Sequence, residues 1–172
     1  MTNPPPLKVA VLINTFEGPY TSKVQNSFTT SILDACPGSS IDFFDPIQAQ
    51  IYPDAKDYDL IVLSGGTADP MGSDPWVLKL QEWIRKTVDQ YPQQKMMGVC
   101  WGHQTLCVTF GGVVGGMGAA EVRPTRQFFY LQTDAKYFMA DWCDQYTTHL
   151  YRTRLLPTSI PKQYRENLIR HA

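Results

Sequence analysis

The sequence lacks any apolar run long enough to cross a membrane. A transmembrane helix needs about 20 consecutive, mainly apolar residues, and every apolar run in this chain of 172 residues is far shorter. The opening segment, Met1–Pro6, ends in three prolines and lacks the apolar core of a signal peptide. We therefore expect a cytoplasmic protein without a membrane partner, and a disordered lead-in over residues 1–6.

The chain also lacks an excess of charge of either sign. Its formal net charge is -1 at pH 7, whereas a protein that binds nucleic acid usually carries a strongly basic face. Two short basic segments, Arg123–Arg126 and Tyr151–Arg154, are interpreted as solvated surface. We expect no nucleic-acid partner.

Cysteine and histidine are few and scattered. The four cysteines are Cys36, Cys100, Cys107 and Cys143, and the chain has three histidines. The cysteines form no C-x-x-C pair, and no combination of these residues has the spacing of a metal site. The pattern predicts reduced thiols in an intracellular setting, with no metal and no cofactor.

Glycine is concentrated in one segment, Gly111–Gly118. A phosphate-binding loop would follow a strand and open a helix, and the sequence predicts neither neighbour for this segment. We interpret it instead as a flexible hairpin beside the functional site.

Short apolar runs alternate with helical patterns along the chain. The runs have the length of strands buried in a parallel sheet and lie at Leu7–Ile13, Ile41–Phe44, Asp59–Ser64, Lys95–Val99 and Gln127–Thr133. The helical patterns lie at Thr21–Cys36, Trp76–Tyr91 and Gln104–Phe110. This alternation predicts an α/β fold with a doubly wound, mostly parallel sheet. The length predicts one domain over residues 7–172, with a divergent tail over residues 137–172.

The fourth run leads into Gly98-x-Cys100-x-Gly102, followed by residues that favour a helix. This is the sulfur version of the nucleophile elbow, in which a strand turns sharply into a helix and needs small residues on both sides of the nucleophile. A cysteine at a helix N-terminus is also more easily ionised. A lone cysteine is most often buried in the core, but the two glycines favour a nucleophile at Cys100.

The elbow continues as His103-Gln104, and the third run ends in Ser64-Gly65-Gly66. With these motifs the sequence resembles the class I (triad-type) glutamine amidotransferases, and in particular the small stand-alone members similar to the glutaminase part of GMP synthases. The segment Gly111–Val114 and Glu121 are similar to the family's region after the elbow helix. The resemblance implies a flavodoxin-like α/β/α sandwich that hydrolyses the side-chain amide of glutamine and passes ammonia to a partner synthetase.

The resemblance also implies site roles. Cys100 would attack the glutamine amide to form a glutamyl thioester. The backbone N–H groups of Trp101 and Gly66 would form the oxyanion hole, and Gly65, Gly66 and Gln104 would hold the substrate. Donors placed where negative charge develops are often the largest single contribution to such reactions.

The sequence departs from the family near its C-terminus. The family's general base is a histidine in an H-x-E motif, which this chain does not contain. The segment His149–Pro157 is similar to the family's late H-x-D-x-V-x-x-L-P segment but lacks the aspartate. We therefore expect an incomplete C-terminal part, through natural shortening or an altered reading frame. His149 is the candidate base, His103 is interpreted as a packing residue of the elbow, and His171, the penultimate residue, is expected to be frayed.

Two alternatives stay open. The chain could be a binding or regulatory relative that keeps the fold without a working base. It could also be a different cysteine hydrolase on a similar scaffold, such as a PfpI-type peptidase or an α/β-hydrolase of the dienelactone type. Glutamine turnover separates the first hypothesis from both.

Overall fold

The computed structural model describes residues 5–116, 131–132, 136–137 and 151–154. Its centre is a sheet of four parallel strands, each an apolar run of the sequence: β1 (Lys8–Leu12), β2 (Ser40–Phe44), β3 (Leu60–Leu63) and β4 (Lys95–Gly98). The strand order is β2-β1-β3-β4, so the chain crosses over β1 between β2 and β3. The predicted flavodoxin-like arrangement, a mostly parallel sheet flanked by helices, is confirmed.

Within the described residues, three α-helices connect or follow these strands: α1 (Thr21–Ala35), α2 (Pro75–Gln90) and α3 (Trp101–Thr109). A short 3-10 helix spans Ala55–Asp57 before β3. Helix α2 has Asp74 at its N-cap and proline in its first turn, both residue types that favour a helix start, although the Asp74 side chain makes no capping hydrogen bond. Helix α3 begins at Trp101, three residues before the predicted start at Gln104, because the turn at Cys100 leads directly into the helix.

The helices on the two faces of the sheet differ in how far they are buried themselves. Helices α2 and α3 pack on one face, where Leu12, Ile61 and Leu63 form a core with residues such as Leu80 and Trp101. Helix α1 covers the other face, where the buried residues are Val9, Val11, Ile13 and Val62. None of the residues of α1 is fully buried.

The remaining strands correct the prediction made for the glycine-rich segment. Val113–Gly116 forms β5, which pairs antiparallel with β8 (Tyr151–Arg154). The segment Gly111–Gly118 was predicted to form a flexible hairpin, but its residues Val113–Gly116 pair as a strand with a segment distant in the sequence, since backbone pairing does not require apolar side chains. That Tyr151–Arg154 is solvated surface stays a prediction. The strand predicted at Gln127–Thr133 is described only as β6 (Leu131–Gln132), paired with β7 (Lys136–Tyr137).

Candidate active site

Cys100 occupies a sharp turn between β4 and α3. Its φ is 52° and its ψ is −112°, a conformation that non-glycine residues rarely adopt and that costs about 1–3 kcal/mol. The helix starts at once, because the Gln104 N–H donates to the Cys100 carbonyl at 3.1 Å. Such strain persists only where the surrounding structure enforces it, and it is common at functional sites.

The two glycines of the elbow are required by close packing. A Cβ atom at Gly98 would collide with the His103 nitrogen and, at 2.5 Å, with the Gly102 carbonyl carbon. A Cβ atom at Gly102 would collide with the Leu63 carbonyl oxygen and lie 2.8 Å from its Cβ. The first turn of α3 therefore lies directly against the ends of β3 and β4, and this contact holds Cys100 at the carboxyl edge of the sheet.

The glycine turn after β3 lies beside the elbow. A Cβ atom at Gly65 would be 3.7 Å from the Cys100 Cβ. At Gly66 it would be 2.5 Å from the Asn14 carbonyl oxygen and 3.2 Å from Cδ2 of the Trp101 ring. The structure thus brings together four of the residues singled out from the sequence: Gly65, Gly66, Cys100 and Trp101.

Two backbone donors at this junction have no acceptor in the described part of the chain. They are the N–H groups of Gly66 and Trp101. The first N–H groups of a helix have no intrahelical partner, and together with the helix dipole they favour negative charge nearby. These two N–H groups beside Cys100 can therefore bind an anionic oxygen.

A small hydrogen-bonded network supports the glycine turn. The Asn14 N–H donates to the Ser64 Oγ at 2.8 Å, and the Asn14 Nδ2 donates to the Ser64 carbonyl at 3.0 Å. The Ser64 hydroxyl donates to the Gly65 carbonyl at 2.9 Å. Both side chains are buried, at 1% exposure each. The sequence reasoning assigned no role to either residue, although a polar residue directly after a buried parallel strand indicates the ligand-binding edge of such a sheet.

Two cysteines of the same helix region differ sharply. Cys100 is partly exposed, whereas Cys107 is buried. Burial raises the pKa of the Cys107 thiol to about 11, because a desolvated thiolate is unfavourable. Cys107 is therefore the core residue that its position in the helical pattern predicts, and at neutral pH it is a poor nucleophile.

The other residues considered from the sequence are placed as follows. Gln104 is buried, at 7% exposure, and its side-chain amide makes no hydrogen bond within the described residues. His103 lies in the first turn of α3, and burial lowers the pKa of its imidazole. His149 and His171 lie outside the described residues. The Trp101 ring contacts the Trp76 ring with centroids 5.2 Å apart, and both rings belong to the buried core.

The described residues contain neither a candidate metal cluster nor a candidate membrane span. No group of three or more His, Cys, Asp or Glu residues in them could hold a metal ion. None of the helices in this part of the chain has both the length and the apolar character needed to span a bilayer.

Sequence comparison gives a consistent family match. The model of the class I glutamine amidotransferase family matches residues 25–158. A glutamine amidotransferase-like protein of Penicillium rubens, chyE, is 40% identical over 134 residues, which is 77% of this chain and 56% of that protein. Gamma-glutamyl peptidase 5 of Arabidopsis thaliana is 40% identical over 81 residues, covering 45% of this chain and 31% of the peptidase. The matched region thus spans about half the length of the Penicillium protein and 31% of the peptidase.

Comparison with solved structures concerns the fold alone. A glutamine amido transferase from Methylobacillus flagellatus superimposes with a TM-score of 0.53 at 19% identity. The match covers 87% of this chain and 58% of that structure.

Proposed function

Because the chain belongs to the class I glutamine amidotransferase family, we propose that it hydrolyses the γ-amide of a γ-glutamyl substrate through a covalent intermediate on Cys100. The observation that carries the proposal is the position of Cys100, in a strained turn at the N-terminus of α3 and directly beside the glycine turn after β3. The first candidate substrate of this hydrolysis is glutamine.

In the proposed reaction the Cys100 sulfur attacks the amide carbon and the carbonyl oxygen becomes negatively charged. The N–H groups of Gly66 and Trp101 stabilise that oxygen, and Gly65 and Gln104 help to hold the substrate. The carbon–nitrogen bond then breaks, and ammonia leaves with one added proton. Water hydrolyses the glutamyl thioester to glutamate and regenerates the thiol. The ammonia would be passed to a separate synthetase.

The general base of this proposal is His149, in the segment that resembles the family's late motif. A base takes the thiol proton and returns a proton to the leaving ammonia, and it typically contributes about 10²–10⁴-fold to the rate. His149→Gln should therefore lower kcat by that factor, and His171→Gln should not. Equal rates for wild type and His149→Gln would remove His149 from the mechanism.

A second candidate substrate is a γ-glutamyl peptide. The similarity to the gamma-glutamyl peptidases of Arabidopsis thaliana over 81 residues favours this candidate. The scissile bond is an amide of the same γ-carboxyl group in both cases, so Cys100 and the oxyanion donors would act identically. Only the leaving group differs, an amine instead of ammonia.

The experiment compares glutamate release from glutamine and from γ-glutamylalanine. Cys100→Ala should reduce turnover of the true substrate by more than about 10⁴-fold, as nucleophile removal does in other hydrolases. Cys107→Ala is the matched control, since its thiol is buried and its pKa is raised to about 11, and it should keep the wild-type rate.

Three outcomes separate the hypotheses. Equal turnover by wild type and Cys100→Ala would rule the proposal out. No turnover of either substrate, with Cys100 still labelled by a glutamine-like diazoketone, would favour the binding or regulatory alternative. Hydrolysis of esters or ordinary peptides without γ-glutamyl turnover would favour a different cysteine hydrolase.

A further inference from the structure

A chain of hydrogen bonds leads from the end of β1 to the glycine turn. The Asn14 N–H donates to the Ser64 Oγ at 2.8 Å, and the Ser64 hydroxyl donates in turn to the Gly65 carbonyl at 2.9 Å. Ser64 is 1% exposed, so water does not compete for these bonds. One buried hydroxyl therefore joins the central strand of the sheet to the peptide group beside Cys100.

The Gly65 carbonyl and the Gly66 N–H belong to the same peptide group. That group is planar and trans, so its C=O and N–H point in opposite directions. A bond that fixes the direction of the Gly65 oxygen therefore also fixes the direction of the Gly66 N–H. Glycine has no side chain to restrict its backbone, and two successive glycines make an external restraint necessary.

From this geometry we propose that Ser64 is a positioning residue, whose hydroxyl aims the Gly66 N–H at the oxyanion through the Gly65–Gly66 peptide. The inference rests on the proposed function and deepens it. The same bond polarises the peptide, since a carbonyl that accepts a hydrogen bond makes the N–H of its own peptide a stronger donor. The side chain of Asn14 holds the preceding Ser64 carbonyl at 3.0 Å, which fixes the base of the turn.

The test compares Ser64→Ala with Ser64→Thr, which keeps a hydroxyl. Loss of a whole oxyanion donor lowers kcat by about 10²–10³-fold, and loss of its orientation should cost less. We expect Ser64→Ala to lower kcat for the γ-glutamyl substrate by about 10–100-fold with little change in KM, and Ser64→Thr to recover most of the loss.

A second readout does not depend on turnover. An aldehyde, N-acetylglutamate γ-semialdehyde, forms a hemithioacetal when the Cys100 sulfur adds to its carbonyl carbon and the oxygen takes the negative charge and then a proton. Iodoacetamide alkylates the same sulfur by displacing iodide, without forming an oxyanion. Ser64→Ala should lower the binding affinity of the aldehyde at least about 10-fold. It should leave the rate of Cys100 alkylation by iodoacetamide unchanged.

The matched control is Thr109→Val. The Thr109 hydroxyl is also buried and donates to a backbone carbonyl, that of Thr105 at 2.7 Å, but it lies at the opposite end of α3. This variant should bind the aldehyde as wild type does. Circular dichroism checks that each variant is folded. Should Ser64→Ala not fold, Ser64→Cys replaces it with aldehyde affinity as the readout, because a thiol is a weak donor.

The outcomes distinguish this inference from the proposed function. Wild-type aldehyde affinity in Ser64→Ala, or in Ser64→Cys if that variant is needed, overturns the role of Ser64. Failure of the aldehyde to bind the wild-type protein would also overturn the role of Ser64. Absence of glutamine and γ-glutamylalanine turnover, together with aldehyde binding that depends on Ser64, overturns the proposed function and leaves the positioning role supported.

Discussion

The helices on the two faces of the central sheet are buried to very different degrees, although the strand residues beneath them are buried on both faces. Helix α2 buries Trp76, Val77, Leu80, Gln81, Ile84 and Thr87 against one face, and α3 buries most of its residues there. On the other face α1 buries none of its residues fully, although Val24, Phe28 and Ile32 pack against the sheet.

This difference locates the candidate site. Cys100 and the glycine turn belong to the face that α2 and α3 cover, where close contacts leave no space for a methyl group at Gly98 or Gly102. A strained nucleophile needs surroundings that cannot relax, and the close contacts of Gly98 and Gly102 provide them. Stability and chemistry should therefore both be more sensitive to substitution on this face than under α1.

The largest effect is expected where α3 touches β3. Gly102→Ala would place a methyl group against the Leu63 carbonyl, and backbone cannot yield as a flexible side chain can. It should lower the free energy of unfolding by about 3 kcal/mol or more and displace Cys100. Gly115→Ala in β5 is the control, because nothing lies within 4 Å of the added atom. Denaturant titration measures both, and similar values for the two would contradict this account of the elbow.

A matched pair of core truncations compares the faces directly. Leu80 in α2 is 0% exposed, so Leu80→Ala should cost about 2–5 kcal/mol of unfolding free energy. Ile32→Ala in α1 removes a side chain that is only half-buried and should cost about 1 kcal/mol. Urea unfolding of the two variants gives the difference. If Ile32→Ala proved as damaging as Leu80→Ala, α1 and α2 would contribute equally to stability despite their different burial.

The smallest expected effects come from two threonines in α3, and they have opposite signs. The Thr105 hydroxyl is buried without a hydrogen-bond partner among the described residues, so Thr105→Val should raise the free energy of unfolding by about 1 kcal/mol. The Thr109 hydroxyl donates to the Thr105 carbonyl, so Thr109→Val should lower it by about 1 kcal/mol. Thermal unfolding distinguishes them. Destabilisation by Thr105→Val would indicate a partner for its hydroxyl.

The fold and the elbow could be predicted because their causes are local. Buried parallel strands need continuous apolar runs. In this chain such runs alternate with segments of helical spacing, and this alternation was sufficient to predict the α/β fold. Gly98 and Gly102 are adjacent in sequence to the turn that requires them, so the spacing itself carried the signal.

What could not be predicted depends on contacts between distant segments. The pairing of β5 with β8 joins residues such as Gly115 and Arg152, and a glycine-rich strand has no apolar pattern to reveal it. The hydrogen bonds of the Ser64 side chain involve Asn14, fifty residues away in sequence, and a single hydroxyl forms no motif. The apolar spacing of α1 predicts which of its faces is turned inward, but not how completely the sheet covers that face.

The backbone at Cys100 has a consequence for protein engineering. Glycine adopts a positive φ at little steric cost, so Cys100→Gly would release about 1–3 kcal/mol of strain against an entropic penalty of about 0.5–1 kcal/mol. In a library of variants selected for thermostability alone, we therefore expect glycine to be enriched at this position and the nucleophilic thiol to be lost. Directed evolution of this chain needs a selection for reactivity alongside thermostability, because the two demands oppose each other at one residue.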